Sequence, residues 1–287
     1  MTRGNSTGDG NNTGEAGGGG SVSVANLRKS FVHGRAQVEV LADLSLDAKA
    51  GEFISVVGPS GSGKSTLFNI LAGLERVDAG EVRVNGKLVT GVGEHFAYMP
   101  QRDLLFPWRR LVDNATIGLE IQGVKKAEAR ERVRPLLLEF GLGGFESAYP
   151  SELSGGMKQR VALLRTVVQQ RKVILLDEPF GALDYLTRTD LQLWLERVWR
   201  DHRWTVILVT HDVPEAILLS DRVYVLGTRP ASVRRCVEID LPRPRGITSL
   251  SLPAFTRIES LILGELRSVM GGQPGLDSSS REQRAPE

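Results

Sequence analysis

A glycine-rich segment that ends in a lysine and two hydroxyl residues is the clearest sign of chemistry in this chain. It consists of Gly58, Pro59, Ser60, Gly61, Ser62, Gly63, Lys64, Ser65 and Thr66. Glycines let successive backbone N–H groups point inward, and the start of a following helix adds partial positive charge. We expect a nucleotide-phosphate site, with Lys64 at the β- and γ-phosphates, the Ser65 hydroxyl on Mg²⁺ and Thr66 at the phosphates nearest the helix.

Two adjacent acids, Asp177 and Glu178, directly follow an apolar run at residues 173–176 and precede Pro179. Neighbouring side chains at the end of a strand diverge, so one carboxylate can face a metal while the other faces water. We expect Asp177 on the water shell of Mg²⁺ and Glu178 as the general base or water-orienting residue of phosphoryl transfer. Solvated acids that merely end a strand are the alternative, and the phosphate-binding segment favours the catalytic interpretation.

A third segment, at residues 153–160, combines a helix cap with two glycines. Ser154, Gly155 and Gly156 precede a predicted helix whose N-terminus suits a second anion contact. The segment resembles the signature motif of ABC ATPases. In that family the motif closes on ATP held by the other subunit, so the resemblance implies a homodimer that binds ATP with Mg²⁺.

Four more positions match elements of this family, and the resemblance covers about residues 22–266. Phe31 lies where an aromatic residue stacks on adenine, although ordinary packing would also explain it. The resemblance implies that Gln101 contacts Mg²⁺ and the attacking water, and that Asp184 bridges the two subunits. His211 follows a predicted strand like the family's switch histidine, so we expect it to hold the γ-phosphate and to orient Glu178.

Three shorter segments, at residues 104–108, 179–184 and 241–245, resemble the ATPases of nitrate, sulfonate, taurine, bicarbonate and thiamine-precursor importers. The likeness implies an integral membrane permease as partner, a peripheral location on the cytoplasmic face of the cell membrane and, indirectly, an extracytoplasmic solute-binding protein. Phe106 and Trp108 are a candidate docking surface for the permease, and packing inside the helical region is the alternative. Such a subunit does not touch the cargo, so its sequence does not predict the transported solute.

Apolar patterning places these segments at the ends of strands. Short alternating groups between residues 21 and 51, and again before the Asn85-Gly86 turn, predict an antiparallel β portion. Continuous apolar runs at Phe53–Val57, 173–176 and 206–209 predict parallel strands covered on both faces. Ligands of open α/β sheets bind beyond the carboxyl ends of such strands, where the candidate site residues lie.

Apolar residues at i, i+3, i+4 and i+7 predict helices between these strands. Two such sets are Leu67, Ile70, Leu71 and Leu74, and Leu191, Trp194, Leu195 and Val198. Residues 102–166 show no strand-like run, whereas 125–140 and 155–170 look helical, which predicts a helical insert. We expect the charged run at 125–132 to be its solvated face and residues 255–266 to form a last amphipathic helix.

The predicted fold class is α/β, with a P-loop NTPase core, an antiparallel β subdomain and an inserted α-helical subdomain, as in the ABC ATPase fold. We expect a flexible tail rich in Gly, Ser and Asn at residues 1–21 and a polar C-terminal tail at 271–287. The ABC ATPase domain would span 22–270, with its helical subdomain at about 102–166.

Composition limits the partners. The 287 residues carry 36 basic and 34 acidic side chains, a formal charge of +2, and this balance argues against nucleic acid as a partner. No stretch approaches the roughly 20 apolar residues of a spanning helix. Cys236 is the only cysteine, so we expect neither an internal disulfide nor a zinc site.

Three other functions share part of this evidence. The ATPase of an exporter or a lipid-handling complex would carry the same catalytic motifs. A soluble ABC protein of DNA repair or translation usually has two phosphate loops or a long coiled-coil insertion, and this chain has one loop and no such insertion. A nucleotide-binding regulator without turnover would not need Glu178. The ATPase of an importer is the preferred prediction.

Overall fold

The computed structural model describes residues 19–34, 36–91 and 95–271, and its strands form two sheets. The strands are β1 (Val22–His33), β2 (Ala36–Ala48), β3 (Phe53–Val57), β4 (Ala79–Val84), β5 (Lys87–Leu88), β6 (Phe96–Met99), β7 (Val173–Asp177), β8 (Thr205–Val209), β9 (Arg222–Leu226) and β10 (Val233–Glu238). One sheet has the order β2-β1-β4-β5 and the other the order β10-β9-β3-β8-β7-β6. The predicted α/β class with a separate antiparallel portion is confirmed.

The six-stranded sheet is the core of the molecule. Strand β3 pairs in parallel with β8 and β9, and β7 pairs in parallel with β8 and β6, while β10 runs antiparallel at the edge. All five residues of β3 and of β8 are buried, as expected for parallel strands covered on both faces. Strands β6, β9 and β10 were not predicted. Because β6, β7 and β8 are neighbours, the residues that follow them emerge side by side.

The four-stranded sheet is antiparallel and packs beside the core sheet. Strands β1 and β2 form a hairpin, and β4 pairs with the other edge of β1. Asn85 and Gly86 have positive φ angles of 50° and 75° and make the tight turn into β5, as the Asn-Gly signal predicted. Strand β2 is hydrogen-bonded to the connection between β9 and β10, where Ala231 N–H donates to the carbonyl of Val40 at 2.8 Å.

The helices are α1 (Lys64–Leu71), α2 (Leu111–Ala115), α3 (Ile117–Ile121), α4 (Lys126–Glu139), α5 (Gly155–Val167), α6 (Tyr185–His202), α7 (Val213–Leu219) and α8 (Pro253–Gly271). Helices α2 to α5 lie between β6 and β7, and residues 100–172, all of them described, contain no strand. Their buried side chains join those on one side of the core sheet. Phe140, just after α4, makes an edge contact with Trp194 on α6 at a centroid distance of 5.0 Å.

The charged run at the start of α4 does more than face solvent. Arg130 Nη2 lies 2.7 Å and Lys126 Nζ 3.3 Å from the same carboxylate oxygen of Asp113 on α2. Ala129 between them is fully buried. Part of the run therefore fastens α4 to α2, which the sequence pattern did not predict because Asp113 is distant in the chain.

Helix α1 ends one turn earlier than its apolar spacing predicted. The backbone turns at Gly73, whose φ is 76°, and Leu74 is 62% exposed. The predicted place of Leu74 on the buried face is therefore wrong, because glycine favours the left-handed conformation that ends a helix. The other predicted apolar set is buried on α6, and Phe255 and Ile262 anchor α8 to the core.

The predicted tails lie mostly outside the described residues, which begin at Gly19 and end at Gly271. Gly20, inside the predicted N-terminal tail, is hydrogen-bonded to the fold, since its N–H donates to the carbonyl of Lys172 at 2.9 Å. Cys236 is exposed on β10. None of the helices in the described ranges has the length and apolar character needed to cross a membrane.

Candidate functional site

The glycine-rich segment forms a loop that wraps the amine of Lys64. Lys64 begins α1, and its Nζ donates to the carbonyl oxygens of Gly58 at 2.8 Å and Pro59 at 3.0 Å. The first hydrogen bond of the helix joins Leu67 N–H to Gly63 O at 2.9 Å. The N–H groups of the first three helical residues, Lys64 to Thr66, therefore precede the internal hydrogen bonding of α1. These donors and one cationic amine suit an anion.

Tight packing explains the glycines at both ends of this loop. A Cβ at Gly63 would lie 2.8 Å from Cδ2 of Leu41, and the φ of Gly63 is 92°. A Cβ at Gly58 would lie 2.9 Å from Oγ of Ser62 and 3.1 Å from Cβ of Leu226. The Oγ of Ser62 is buried and has no hydrogen-bond partner among the described residues. An oxygen-rich ligand in the loop would satisfy this hydroxyl, so the loop fits the predicted nucleotide phosphates.

The two adjacent acids separate at the end of β7, as the sequence predicts for neighbouring side chains. Asp177 is the last residue of β7, and its Oδ2 accepts a hydrogen bond from the hydroxyl of Tyr98 at 3.0 Å. Glu178 takes the left-handed conformation, with φ of 44°, and its N–H donates to Val209 O at 2.8 Å. This backbone turn sends the Glu178 carboxylate toward the ends of the neighbouring strands.

Gln101 and His211 converge on one oxygen of Glu178. Gln101 Nε2 donates to Glu178 Oε2 at 3.1 Å, and His211 Nδ1 lies 3.2 Å from the same oxygen. Gln101 follows β6 and His211 follows β8, the two strands that flank β7. The sheet order therefore brings together three residues separated by up to 110 positions. The Glu178 side chain is 21% exposed and the His211 side chain is 62% exposed. An amide, a carboxylate and an imidazole at one point can orient a water molecule and accept its proton.

Charges of both signs meet between the loop and the strand ends. Burial lowers the pKa of Lys64, while the negative charges of Glu178 and Asp177 oppose that shift. Burial raises the pKa of Asp177, and the neighbouring Glu178 raises it further, against the hydrogen bond from Tyr98 and the charge of Lys64. A cation added beside Asp177 would favour its ionised form.

The predicted magnesium residues have the donor chemistry of a phosphate-bound Mg²⁺ ion. Ser65, Gln101 and Asp177 offer a hydroxyl, an amide and one carboxylate. Within the described ranges, no group of three or more His, Cys, Asp and Glu side chains is arranged to hold a metal. Mg²⁺ commonly uses one or two carboxylates and completes its shell with water and substrate phosphates, so a single carboxylate is compatible with the prediction.

The signature segment caps α5 and packs closely on the start of α6. Ser154 Oγ accepts a hydrogen bond from Met157 N–H at 3.2 Å, which makes it the predicted N-cap. A Cβ at Gly156 would lie 2.8 Å from Cγ2 of Thr187, and one at Gly155 would lie 3.3 Å from Cδ2 of Leu183. Sequence reasoning missed this packing role of the two glycines. The segment contacts α6, whereas the phosphate loop contacts β2 and β9.

Asp184 caps the next helix. Its Oδ1 accepts a hydrogen bond from Thr187 N–H at 3.1 Å, and hydrogen bonds to Thr187 lower the pKa of Asp184. The side chain is exposed and stands at the start of α6. Its predicted bridge to a second subunit would begin from this exposed cap.

Phe31 lies apart from the catalytic residues, on the antiparallel sheet. It is 39% exposed, and Lys29 Nζ lies 5.0 Å from the centre of its ring. It pairs with Val38 across β1 and β2, two residues before Val40, whose Cγ1 would contact a Cβ at Gly63. The ring therefore stands on the sheet that borders the phosphate loop, and its stacking on adenine stays a prediction.

Tyr98 is a site residue that sequence reasoning did not single out. Its hydroxyl binds Asp177, and its ring makes an edge contact with Phe68 on α1 at 6.2 Å. Burial is the largest cause of its raised pKa, so the hydroxyl keeps its proton and remains a donor. The available signal was a polar aromatic residue three positions before Gln101.

Comparisons with known proteins identify the family of this chain. A family model described as ABC transporter matches residues 41–181. An uncharacterized ABC transporter ATP-binding protein of Methanocaldococcus jannaschii is 45% identical over 236 residues, which are 82% of this chain and 88% of the relative. The aliphatic sulfonates import ATP-binding protein SsuB of Bacillus licheniformis is 40% identical, over 86% of this chain and 95% of the relative. The nitrate import ATP-binding protein NrtD of Synechocystis sp. is 41% identical, over 77% and 83%.

Solved structures show the same architecture. The dimeric structure of a bacterial ABC transporter cassette matches with a TM-score of 0.67 and 29% identity, over 77% of this chain and all of that chain. A post-hydrolysis state of an ATP-binding cassette bound to ADP and Pi also matches with a TM-score of 0.67, at 28% identity over the same shares. The chain therefore belongs to the ABC transporter family of ATP-binding proteins. It is an ABC ATPase, and its relatives include the import ATP-binding proteins SsuB and NrtD.

Proposed function

We propose that this protein is the ATP-hydrolysing subunit of an ABC importer and that two copies close around two ATP molecules. The observation that carries the proposal is the convergence of Gln101 and His211 on Glu178 Oε2, beside the loop that wraps Lys64. The import names of SsuB and NrtD support the transport direction. The likeness to a dimeric cassette supports the pairing of two copies.

The site residues suit hydrolysis of the terminal phosphate. In this reaction a water oxygen bonds to the γ-phosphorus as the bond to the departing ADP oxygen breaks. Glu178 orients the water and accepts the proton that it loses, while His211 and Gln101 hold the carboxylate in place. Lys64 offsets the phosphate charge. Mg²⁺, held by Ser65, Gln101 and Asp177, would supply further neutralisation of that charge.

The partner-facing residues of the proposed dimer lie next to one another. The capped start of α5 at Ser154 packs on the start of α6, where Asp184 is exposed. Tyr185 and Leu186, the next two residues, are 71% and 72% exposed although both are large and hydrophobic. Exposed apolar side chains beside an anion-binding helix start favour a protein partner there. A second copy of the chain would cover them and bring Ser154 to its ATP.

The permease would dock on the aromatic cluster after Gln101. Phe106 and Trp108 stack with ring centres 5.2 Å apart, and the Trp108 ring does not fill the helical insert, since Trp108 is 72% exposed. Arg165 on α5 donates to the carbonyl of Leu104 at 2.9 Å, which ties this surface to the helix that begins at Ser154. The proposal places the protein at the cytoplasmic face of the membrane, with a solute-binding protein acting on the opposite side and no nucleic acid involved.

The variant Glu178→Gln tests the proposal because it removes the proton acceptor and keeps the shape. We expect Glu178→Gln to bind ATP, to hydrolyse it at least about 100-fold more slowly and to dimerise with ATP and Mg²⁺ in light scattering. Adding a bulky substitution at Ser154 should prevent the dimer without loss of ATP binding to the monomer. A wild-type rate of hydrolysis by Glu178→Gln would refute the proposal. So would a dimer that forms without ATP and that the substitution at Ser154 does not prevent.

A further inference from the structure

Two helices begin immediately after the two loops that contact the catalytic centre. Helix α6 begins after Asp184, at the end of the loop that follows Glu178, and α7 begins after Asp212, the neighbour of His211. Both caps are aspartates that accept a hydrogen bond from a backbone N–H three residues on. Anything that fixes the start of α6 relative to that of α7 therefore fixes the loop after Glu178 relative to His211.

Arg188 joins these two starts. From the first turn of α6, its Nη2 donates back to the carbonyl of Leu183 at 3.1 Å, in the loop that follows Glu178. Its Nη1 lies 3.4 Å from Oδ2 of Asp212. Both side chains of this ion pair are about one quarter exposed, so the link is only partly screened by water.

Asp212 passes this link directly to His211. Its Oδ1 caps α7 through Glu215 N–H at 2.9 Å, and its own N–H donates to Oγ1 of Thr210 at 3.0 Å. His211 lies between these two anchored residues. Its imidazole reaches Glu178 Oε2, which closes a ring of contacts that runs from Glu178 through the loop to Arg188 and back through Asp212.

A second link lies one helical turn further along. Gln192 on α6 donates from Nε2 to Oε2 of Glu215 on α7 at 2.9 Å, and both side chains are buried. Arg188 and Gln192 are four residues apart and therefore on one face of α6. A single contact would let the two helices rotate about it, whereas two contacts on one face of α6 prevent that rotation. A displacement of the start of α6 therefore also displaces α7.

We propose that Arg188 is a positioning residue that couples His211 to the loop that follows Glu178 and ends at the exposed Asp184. A contact made with that loop therefore changes the position of the catalytic histidine. In the proposed ATPase, on which this inference rests, the contact is made by the second copy of the chain. Arginine suits the role because its planar guanidinium can reach a carbonyl and a carboxylate at the same time. Lysine offers a single point charge.

The test compares Arg188→Met with Arg200→Met in the full chain. Arg200 lies on the same helix, pairs with Glu196 at 3.4 Å and is about as exposed as Arg188, but it is near the other end of α6. We expect Arg188→Met to lower kcat about 10- to 100-fold with KM changed by no more than about twofold, and Arg188→Lys to recover part of the loss. Arg200→Met should keep the wild-type kcat.

Hydrogen exchange measured by mass spectrometry reads the coupling without any hydrolysis. Arg188→Met should speed amide exchange both in residues 180–187 and in residues 209–216, whereas Arg200→Met should speed neither. Asp212→Asn breaks the same ion pair and keeps a capping residue, so it provides a second variant if Arg188→Met does not fold. The double variant should lose no more kcat than the worse single one.

Either of two results would overturn the coupling. One is that Arg188→Met speeds amide exchange in residues 180–187 and not in residues 209–216. The other is a wild-type kcat in both Arg188→Met and Asp212→Asn. The proposed function fails differently: a wild-type chain that binds ATP without hydrolysing it would refute that function, while linked exchange in the two segments would still support the coupling.

Discussion

Glu215 should make the stability of this protein depend on pH near neutrality. Its carboxyl group is 4% exposed on α7 and accepts a hydrogen bond from Gln192. Burial, together with the negative charge of Asp212, raises the pKa of Glu215 from 4.5 to about 7, against the hydrogen bond from Gln192 and the charge of Arg188. The folded protein therefore keeps this carboxyl group protonated at a pH where the unfolded chain has ionised it.

The sign and size of the effect follow from this difference in pKa. Between pH 4.5 and about 7 the folded state binds more protons than the unfolded state, so the free energy of unfolding falls as the pH rises. Each pKa unit corresponds to about 1.4 kcal/mol, which gives a loss of about 3 kcal/mol that is complete above the folded pKa. Below pH 4.5 both states are protonated and Glu215 causes no loss.

The variant Glu215→Gln removes the titration and keeps an acceptor for Gln192. We expect urea unfolding at pH 5, 6, 7 and 8 to show that the stability of the variant rises relative to that of the wild type by about 2.5 kcal/mol between pH 5 and pH 8, since part of the wild-type loss has already occurred at pH 5. Glu238→Gln, at an exposed position on β10, is the control and should follow the wild-type curve. Parallel curves for Glu215→Gln and the wild type would show that the buried carboxyl group is not protonated in the fold, and the reasoning would be wrong.

Three further predictions concern the site and its surfaces. Lys64→Ala should abolish ATP binding or turnover, and near-normal hydrolysis by this variant would contradict the phosphate-loop assignment. Gly156→Ala should lower the free energy of unfolding by about 1–3 kcal/mol, because its Cβ would meet Cγ2 of Thr187, and Thr187→Ser should recover most of the loss in a double variant. Trp108→Ala should keep the hydrolysis rate of the isolated protein and lose co-purification with the proposed permease, and unchanged co-purification would exclude Trp108 from the docking surface.

The elements that hold the site were predictable because their signals are local. Continuous apolar runs predicted β3, β7 and β8, and the chemistry-bearing residues directly after them could be read from the chain. Helix caps were predictable for the same reason, since Ser154 bonds to an N–H only three residues away. Strand β6 was missed, although Gln101 directly after it was predicted, because four residues with one polar aromatic carry no clear period.

The contacts within the site were decided by the order of strands in the sheet. Residues 101, 178 and 211 meet because β6, β7 and β8 are neighbours, and no spacing along the chain contains that order. Tertiary packing likewise decides that Gly156 contacts Thr187 and that Arg188 lies between the starts of α6 and α7. The sequence alone would place Glu215 on the exposed face of a helix, and only the packing of α6 against α7 buries it. The sequence by itself determined which chemical groups this ATPase carries and which strands and helices present them. Only the tertiary structure decided which groups touch and which are buried, since packing between distant segments sets both distance and solvation.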